Sequence, residues 1–383
     1  MRLKTSSIHA HGYFDKTTGA FIPPIYQIAM FEQPGWTRTT DRGTDLKYSR
    51  EENPTVRAVE RTIACLEMAE DALCFSSGMS AIATLYLSTL KKGDTLVIPM
   101  EMYGTTIQLA LDLQKYGIRT VLAWPETEEI VKEVNREVKL VLVETMTNPT
   151  LRVIDVPELA KVCYDLGVTL VVDNTFVTPI LYQPIKDKVD IVVHSMTKYI
   201  AGHNDVIAGA VVGEKKRILE LWDWRRKLGC ILAPFEAFLV LRGMKTLSIR
   251  VKTHCENAQA MAEFLVEHPK VKEVHYPGLT EDKYHSIARK MFKNGYGGVV
   301  SFRIKGGSEE VLKIFSRLKI IKAAPSLGGP ESLITYPIIS AAKVIPSDIR
   351  EKLGITEDFL RLSVGLEDVE DLIEDIDRAL SST

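Results

Sequence analysis

A lysine that works as a nucleophile near neutral pH must lose its proton, and burial beside other cationic or polar groups brings this about. Lys198 is placed for such a role. It follows a strand-like run from Asp190 to His194, stands in Ser195-Met196-Thr197-Lys198, and precedes a Gly/His/Asn/Asp turn. Ser195 and Thr197 stand two apart, so both hydroxyls could face one phosphate while Lys198 points at a carbonyl. Alone, a lysine after a strand is more often a solvated surface residue. A second stretch changes that weighing. Residues 168–179, VTLVVDNTFVTP, contain a parallel-type buried strand ending in Asp173. Acids at the carboxyl ends of such strands sit where α/β sheets bind ligands. The Asp173 carboxylate could hold a proton on a pyridine nitrogen. Lysine, hydroxyl pair and acid together form the set that pyridoxal phosphate needs when it is held as a Schiff base.

These residues need a scaffold, and the rest of the chain supplies one. An amphipathic helix (VRAVERTIACLEMA) follows Pro54-Thr55, and a short strand stops at Ser76-Ser77-Gly78 before a small-residue helix. Strands are expected at 95–99, 118–123 and 138–144, with a helix over 157–166 between the last of these and the Asp173 strand. Alternation of this kind predicts an α/β fold whose central sheet is mostly parallel, with helices on both faces. Gly78 opens a helix after a strand, so the backbone amides of Gly78 and Met79 are assigned to an anion, the phosphate. Beyond Val212-Gly213 the chain turns helical, and one long helical stretch begins at Pro234 with Gly243 inside it. The domain junction is placed there. Residues 49–243 read as the cofactor-binding domain, and 244–383 as a smaller α/β C-terminal domain that binds substrate. Residues 1–48, punctuated by Pro23-Pro24, Pro34-Gly35 and Arg42-Gly43, read as an extended arm that cannot build its own core and lies on a neighbouring subunit.

Composition excludes several classes. The net charge of −2 with interspersed signs leaves no basic groove for nucleic acid and no polybasic membrane patch. Five cysteines without a CxxC argue against a disulfide framework and against a zinc site, so no metal is expected. Cys74, Cys163 and Cys230 are expected in the core. No long apolar run stands at the start or elsewhere, so a cytoplasmic protein is expected.

VVDNTFVTP followed by DIVVHSMTKYIAGHNDVIAG resembles the Cys/Met-metabolism family of pyridoxal phosphate enzymes. That family includes cystathionine γ-synthase, cystathionine γ-lyase, methionine γ-lyase and homoserine-ester sulfhydrylases. The likeness runs from Tyr48-Ser49-Arg50 to RLSVGLED at 361–368. It implies a fold type I transferase, methionine-biosynthesis or transsulfuration chemistry, and a homotetramer built as a dimer of dimers. It also implies residue roles. Tyr48 and Arg50 reach across a dimer interface to the other subunit's phosphate. Tyr103 of the YGxT segment stacks on the ring and acts as acid or base near the leaving group. Asn148 contacts the ring's phenolic oxygen and borders the substrate. Ser326 and Arg361 bind the substrate carboxylate, a pairing that suits the planar guanidinium fork.

Four departures bear on the substrate. Lys47 and Pro325 stand where many cystathionine-handling branches carry acids, which weakens the case for a distal ammonium, and Lys47 favours a distal anion such as the succinyl or phosphoryl group of an activated homoserine. Ala341-Ala342-Lys343 replaces a threonine-histidine pair, and Thr105 stands where methionine γ-lyases carry cysteine. The resulting expectation is γ-replacement, first as a cystathionine γ-synthase. Elimination as a cystathionine or methionine γ-lyase is the alternative, and a β-lyase or a binding protein without turnover is less favoured. Lys198, Tyr103 and Asp173 are the catalytic residues in this reading.

Overall fold

The computed structural model describes residues 1–33, 42 and 46–381. Pro34, Gly35 and Gly43 of the expected arm lie outside the described residues. Seven strands build the larger sheet: β1 (Asp71–Phe75), β2 (Thr95–Pro99), β3 (Arg119–Ala123), β4 (Val138–Glu144), β5 (Thr169–Asp173), β6 (Ile191–Ser195) and β7 (Gly209–Gly213). Their order is β1-β7-β6-β5-β4-β2-β3. The run from β3 to β6 is parallel, and β7 alone runs against both its neighbours.

Alternation explains why both faces are covered. Leu140 and Leu142 of β4 join one apolar cluster with Leu73, Ile98 and Val193, while Val141 and Val143 join another with Val97, Val172 and Val192. A strand apolar on both sides must carry helices on both sides. The helix Pro54–Glu67 begins where Asn53 Oδ1 accepts the Thr55 amide at 3.0 Å, with Pro54 in the first turn. Cys74, Cys163 and Cys255 are buried, whereas Cys230, expected in the core, is only half-buried.

A second sheet contains β8 (Val271–His275), β9 (Val299–Ile304), β10 (Lys322–Ala323), β11 (Leu333–Thr335) and β12 (Phe359–Ser363), in the order β10-β11-β12-β9-β8. Leu360 and Leu362 of β12 face a third core shared with Val300, Phe302 and Ile376. Period two therefore sends Arg361 and Ser363 to the opposite face. That face meets the larger sheet's loops: the Ser301 hydroxyl of β9 donates to the Pro149 carbonyl at 2.7 Å.

Two local expectations need correction. The stretch from Pro234 is not one helix: it breaks at Lys245-Thr246 into Pro234–Met244 and Leu247–Glu267. The Arg250 side chain donates to the Gly243 carbonyl at 2.8 Å and to the Tyr199 carbonyl at 2.7 Å, holding the break against the loop after Lys198. The arm is not wholly extended either. Leu3–His9 is a short helix packed on Pro54–Glu67. No helix among the described residues is long and apolar enough to cross a membrane.

Candidate active site

Parallel strands end together, so β4, β5 and β6 deliver Glu144, Asp173 and Ser195 to one edge. A buried polar bridge holds these ends in place. The Asn174 side chain accepts from the Thr145 hydroxyl at 2.9 Å and donates to Glu67 Oε1 at 3.1 Å. Glu67 Oε1 is in turn 2.6 Å from His194 Nε2. At the same edge a cavity of about 240 Å³ is lined by Ser77, Gly78, Met79, Tyr103, Asn148, Asp173, Ser195, Thr197, Lys198 and Arg361, among others. Sequence-predicted residues from both halves of the chain therefore meet.

Lys198 is partly buried, and its Nζ donates to Ser326 Oγ at 3.0 Å. Burial, with the Arg361 guanidinium adding to it, lowers the ammonium's pKa to about 8. A usable fraction of free amine thus exists near neutral pH. Asp173 Oδ1 accepts the Thr175 amide at 3.0 Å, and the Thr175 hydroxyl accepts the Ser195 amide at 2.8 Å. Burial raises the Asp173 pKa while the Thr175 bonds oppose it. A protonated ring nitrogen beside this carboxylate would offset the desolvation.

Arg361 is buried, with Nη1 donating to Asn148 Oδ1 at 2.7 Å and Nη2 to the Ser326 carbonyl at 3.0 Å. Burial lowers its pKa to about 10, which still leaves a cation at neutral pH. Its Nε has no hydrogen-bond partner. Gly328, at φ +75°, allows the loop behind Ser326 to pass the Tyr199 backbone, because a Cβ there would stand 2.6 Å from Tyr199 N.

On the opposite wall Ser77 caps the helix Gly78–Thr89, accepting the Ser80 amide at 3.0 Å. The turn is pressed against its neighbours: a Cβ on Gly78 would lie 3.0 Å from Ser195 Cβ, and one on Gly209 only 2.1 Å from the Ser77 carbonyl oxygen. Bare backbone therefore borders the cavity, as an anion at a helix N-terminus needs. The Thr197 hydroxyl donates to the Ala208 carbonyl at 3.2 Å and accepts from its amide at 3.0 Å, so a phosphate would share this group with the backbone.

The chain belongs to the Cys/Met-metabolism family of pyridoxal phosphate-dependent enzymes. The family model matches residues 4–381. A cystathionine β-lyase of Coxiella burnetii is 40% identical over 99% of this chain and 97% of its own. An L-methionine γ-lyase of Fusobacterium nucleatum subsp. polymorphum is 40% identical over 99% and 98%. The solved cystathionine γ-synthase of Xanthomonas oryzae pv. oryzae, in complex with aminoacrylate and cysteine, superposes with a TM-score of 0.95 at 36% identity, covering 100% and 98%. The fold is accordingly the α/β architecture of this family, and its cofactor is pyridoxal 5′-phosphate. The cavity fits that group: an amine, a strand-end carboxylate and a bare-backbone helix start line one space.

Three expected contacts are not brought to the cavity within this chain. Tyr48 and Lys47 are exposed, and the Arg50 guanidinium stacks 5.3 Å from the Tyr48 ring centre and donates to the Arg226 carbonyl. Sequence reasoning missed Ser77, Thr175 and Glu144. Ser77 carried a legible signal, a serine immediately before the helix-opening glycine. Glu144 closes β4 as Asp173 closes β5, and that parallel could have drawn attention to it.

Proposed function

We propose that the enzyme acts at the γ-carbon of an amino acid, most readily by replacing the γ-substituent of an activated homoserine with a thiol such as cysteine, a cystathionine γ-synthase reaction. One observation carries this reading. The carboxyls lining the cavity, Glu144 and Asp173, both sit at the sheet end, while Ile207, Pro325 and Leu327 supply apolar wall. A distal ammonium would find no carboxylate along this apolar wall, whereas an ester or a thioether needs none. Elimination from a thioether is the second reading. It is favoured by the same wall and by the lyase names of the relatives.

In this mechanism the cofactor supplies an electron sink for the carbanion. Arg361 would hold the substrate carboxylate, with Asn148 orienting the guanidinium. Lys198, as free amine, would take the Cα proton, and Ser326 would steer its Nζ. Asp173 would keep a proton on the ring nitrogen. Tyr103, which lines the cavity with its side chain half exposed, would give a proton to the departing γ-group. A second copy of the chain would bring Tyr48 and Arg50 to the phosphate and Lys47 toward the distal anion, so the working form is at least a dimer.

The test is product analysis on the cofactor-loaded protein. O-Phospho-, O-succinyl- and O-acetylhomoserine are offered with and without cysteine, and cystathionine and methionine alone. Cystathionine formed only from an ester plus cysteine is the expected result. Rapid 2-oxobutyrate from cystathionine or methionine alone would replace the synthase reading with a γ-lyase.

A further inference from the structure

Glu144 is a site residue whose role the mechanism above does not use. It ends β4 in register with Asp173 of β5, so the two acids stand on adjacent strands with their backbones about 4.8 Å apart by ordinary strand spacing. Glu144 is 5% exposed and lines the cavity. Its Oε1 accepts the Tyr103 backbone amide at 2.9 Å, the Asn148 backbone amide also faces the carboxyl, and Oε2 is buried without a hydrogen bond of ordinary geometry.

A buried acid and a half-buried one in this relation do not readily both ionise unless a cation joins them. The groups facing Glu144 come from several elements. Asp173 lies on β5, Glu101 and Tyr103 on the loop after β2, Lys198 on the loop after β6, and Arg361 on β12. Glu101 and Asp173 add negative charge. The hydrogen-bonded partners of Arg361 are Asn148 and Ser326 rather than Glu144, and Lys198 Nζ is bound to Ser326. Burial, then Asp173, hold the Glu144 pKa well above the carboxylate range.

We propose that Glu144 is a positioning residue that serves the site as a neutral acid. Its carbonyl oxygen ties the Tyr103 loop to the end of β4, and its hydroxyl oxygen donates a hydrogen bond toward the bound ring. A neutral donor leaves Asp173 as the ring's sole anionic partner. Two carboxylates there would over-stabilise positive charge on the cofactor and hold the lysine–cofactor linkage protonated to higher pH. The inference rests on the family's cofactor and not on the choice between synthase and lyase.

Two readouts besides turnover test it. The first is the infrared difference between the wild-type apoprotein and Glu144→Gln at pH 7. The carbonyl stretch of a protonated carboxylic acid should be lost in the variant. Loss of carboxylate bands instead would overturn the proposal. Glu144→Ala serves the same comparison if the amide variant does not fold. The second is the pH titration of the bound cofactor's visible absorption. Glu144→Gln keeps a neutral acceptor and donor, so the midpoint should stay at the wild-type value. If Glu144 were ionised, removing a charge at this range would lower the midpoint by about 1–3 pH units. A failed γ-replacement assay would leave both readouts unchanged, so the two conclusions fail separately.

Discussion

The two ends of the proposed cofactor site are built differently. Around Lys198, Asp173 and Arg361, each charged group is at least partly buried and has hydrogen-bond partners from the same chain. Around Tyr48 and Arg50, the side chains lie on the surface and lean on each other and on the Arg226 carbonyl. The first end is fixed by strand endings that the core cannot let slip. The second has no such frame within one chain. The contrast separates what a single chain can preorganise from what must come from assembly.

The largest test removes the amine. Lys198→Ala should lower kcat by about 10³-fold or more, as loss of a nucleophile and general base does, and abolish the lysine-dependent visible band. Unchanged turnover would remove the centre of the preorganised end. Next, Arg361→Lys keeps the charge but loses the fork. Giving up charge-assisted bonds worth about 1.5–3 kcal/mol should lower kcat/KM roughly 10- to 150-fold, seen mostly in KM.

The comparison itself is tested by mixing inactive copies. Arg50→Ala should weaken cofactor retention, and co-refolding it with Lys198→Ala should restore activity, because one site of each hybrid pair would be intact. No recovery would place Arg50's role within its own chain. A smaller effect concerns pH. Lys198 titrates near pH 8, and only its neutral form attacks an aldehyde, so cofactor uptake by the apoprotein should quicken as pH rises through about 8 and then level off. A pH-independent rate would contradict this. Smallest is Pro325→Glu, which adds an acid to the apolar wall. It should lower KM for cystathionine several-fold while raising it for a succinyl ester, as opposite charges near a substrate do. Equal shifts for both would remove the wall from the specificity argument.

Much of the preorganised end was legible in the sequence because its physics is local. A strand that stops at an acid, a lysine flanked by hydroxyls and a glycine opening a helix each announce themselves within a few residues. The less legible features depend on remote neighbours. Glu144 matters because of Asp173 on the next strand. The break at Lys245-Thr246 carries no proline, and its stabilising bonds come from Arg250 to carbonyls elsewhere. Arg361 was placed by resemblance, and only the alternation of β12 against its own core shows why it turns toward Asn148. Tyr48 and Arg50 were assigned by resemblance to the other subunit's phosphate, and within this chain they stand away from the cavity.

The Asn148–Arg361–Ser326 contact has a mechanical consequence. Asn148 hangs from the larger sheet, and Arg361 belongs to the smaller, so one guanidinium bridges two bodies that share no strand. A substrate carboxylate held there, as proposed, would load the seam between the sheets directly. In the proposed binding mode, the ligand's carboxylate would therefore dock on the residue that ties the two sheets together. Tightening there would be transmitted to both sheets together, and a cut in either half would be felt first as a loosened grip on the amino acid.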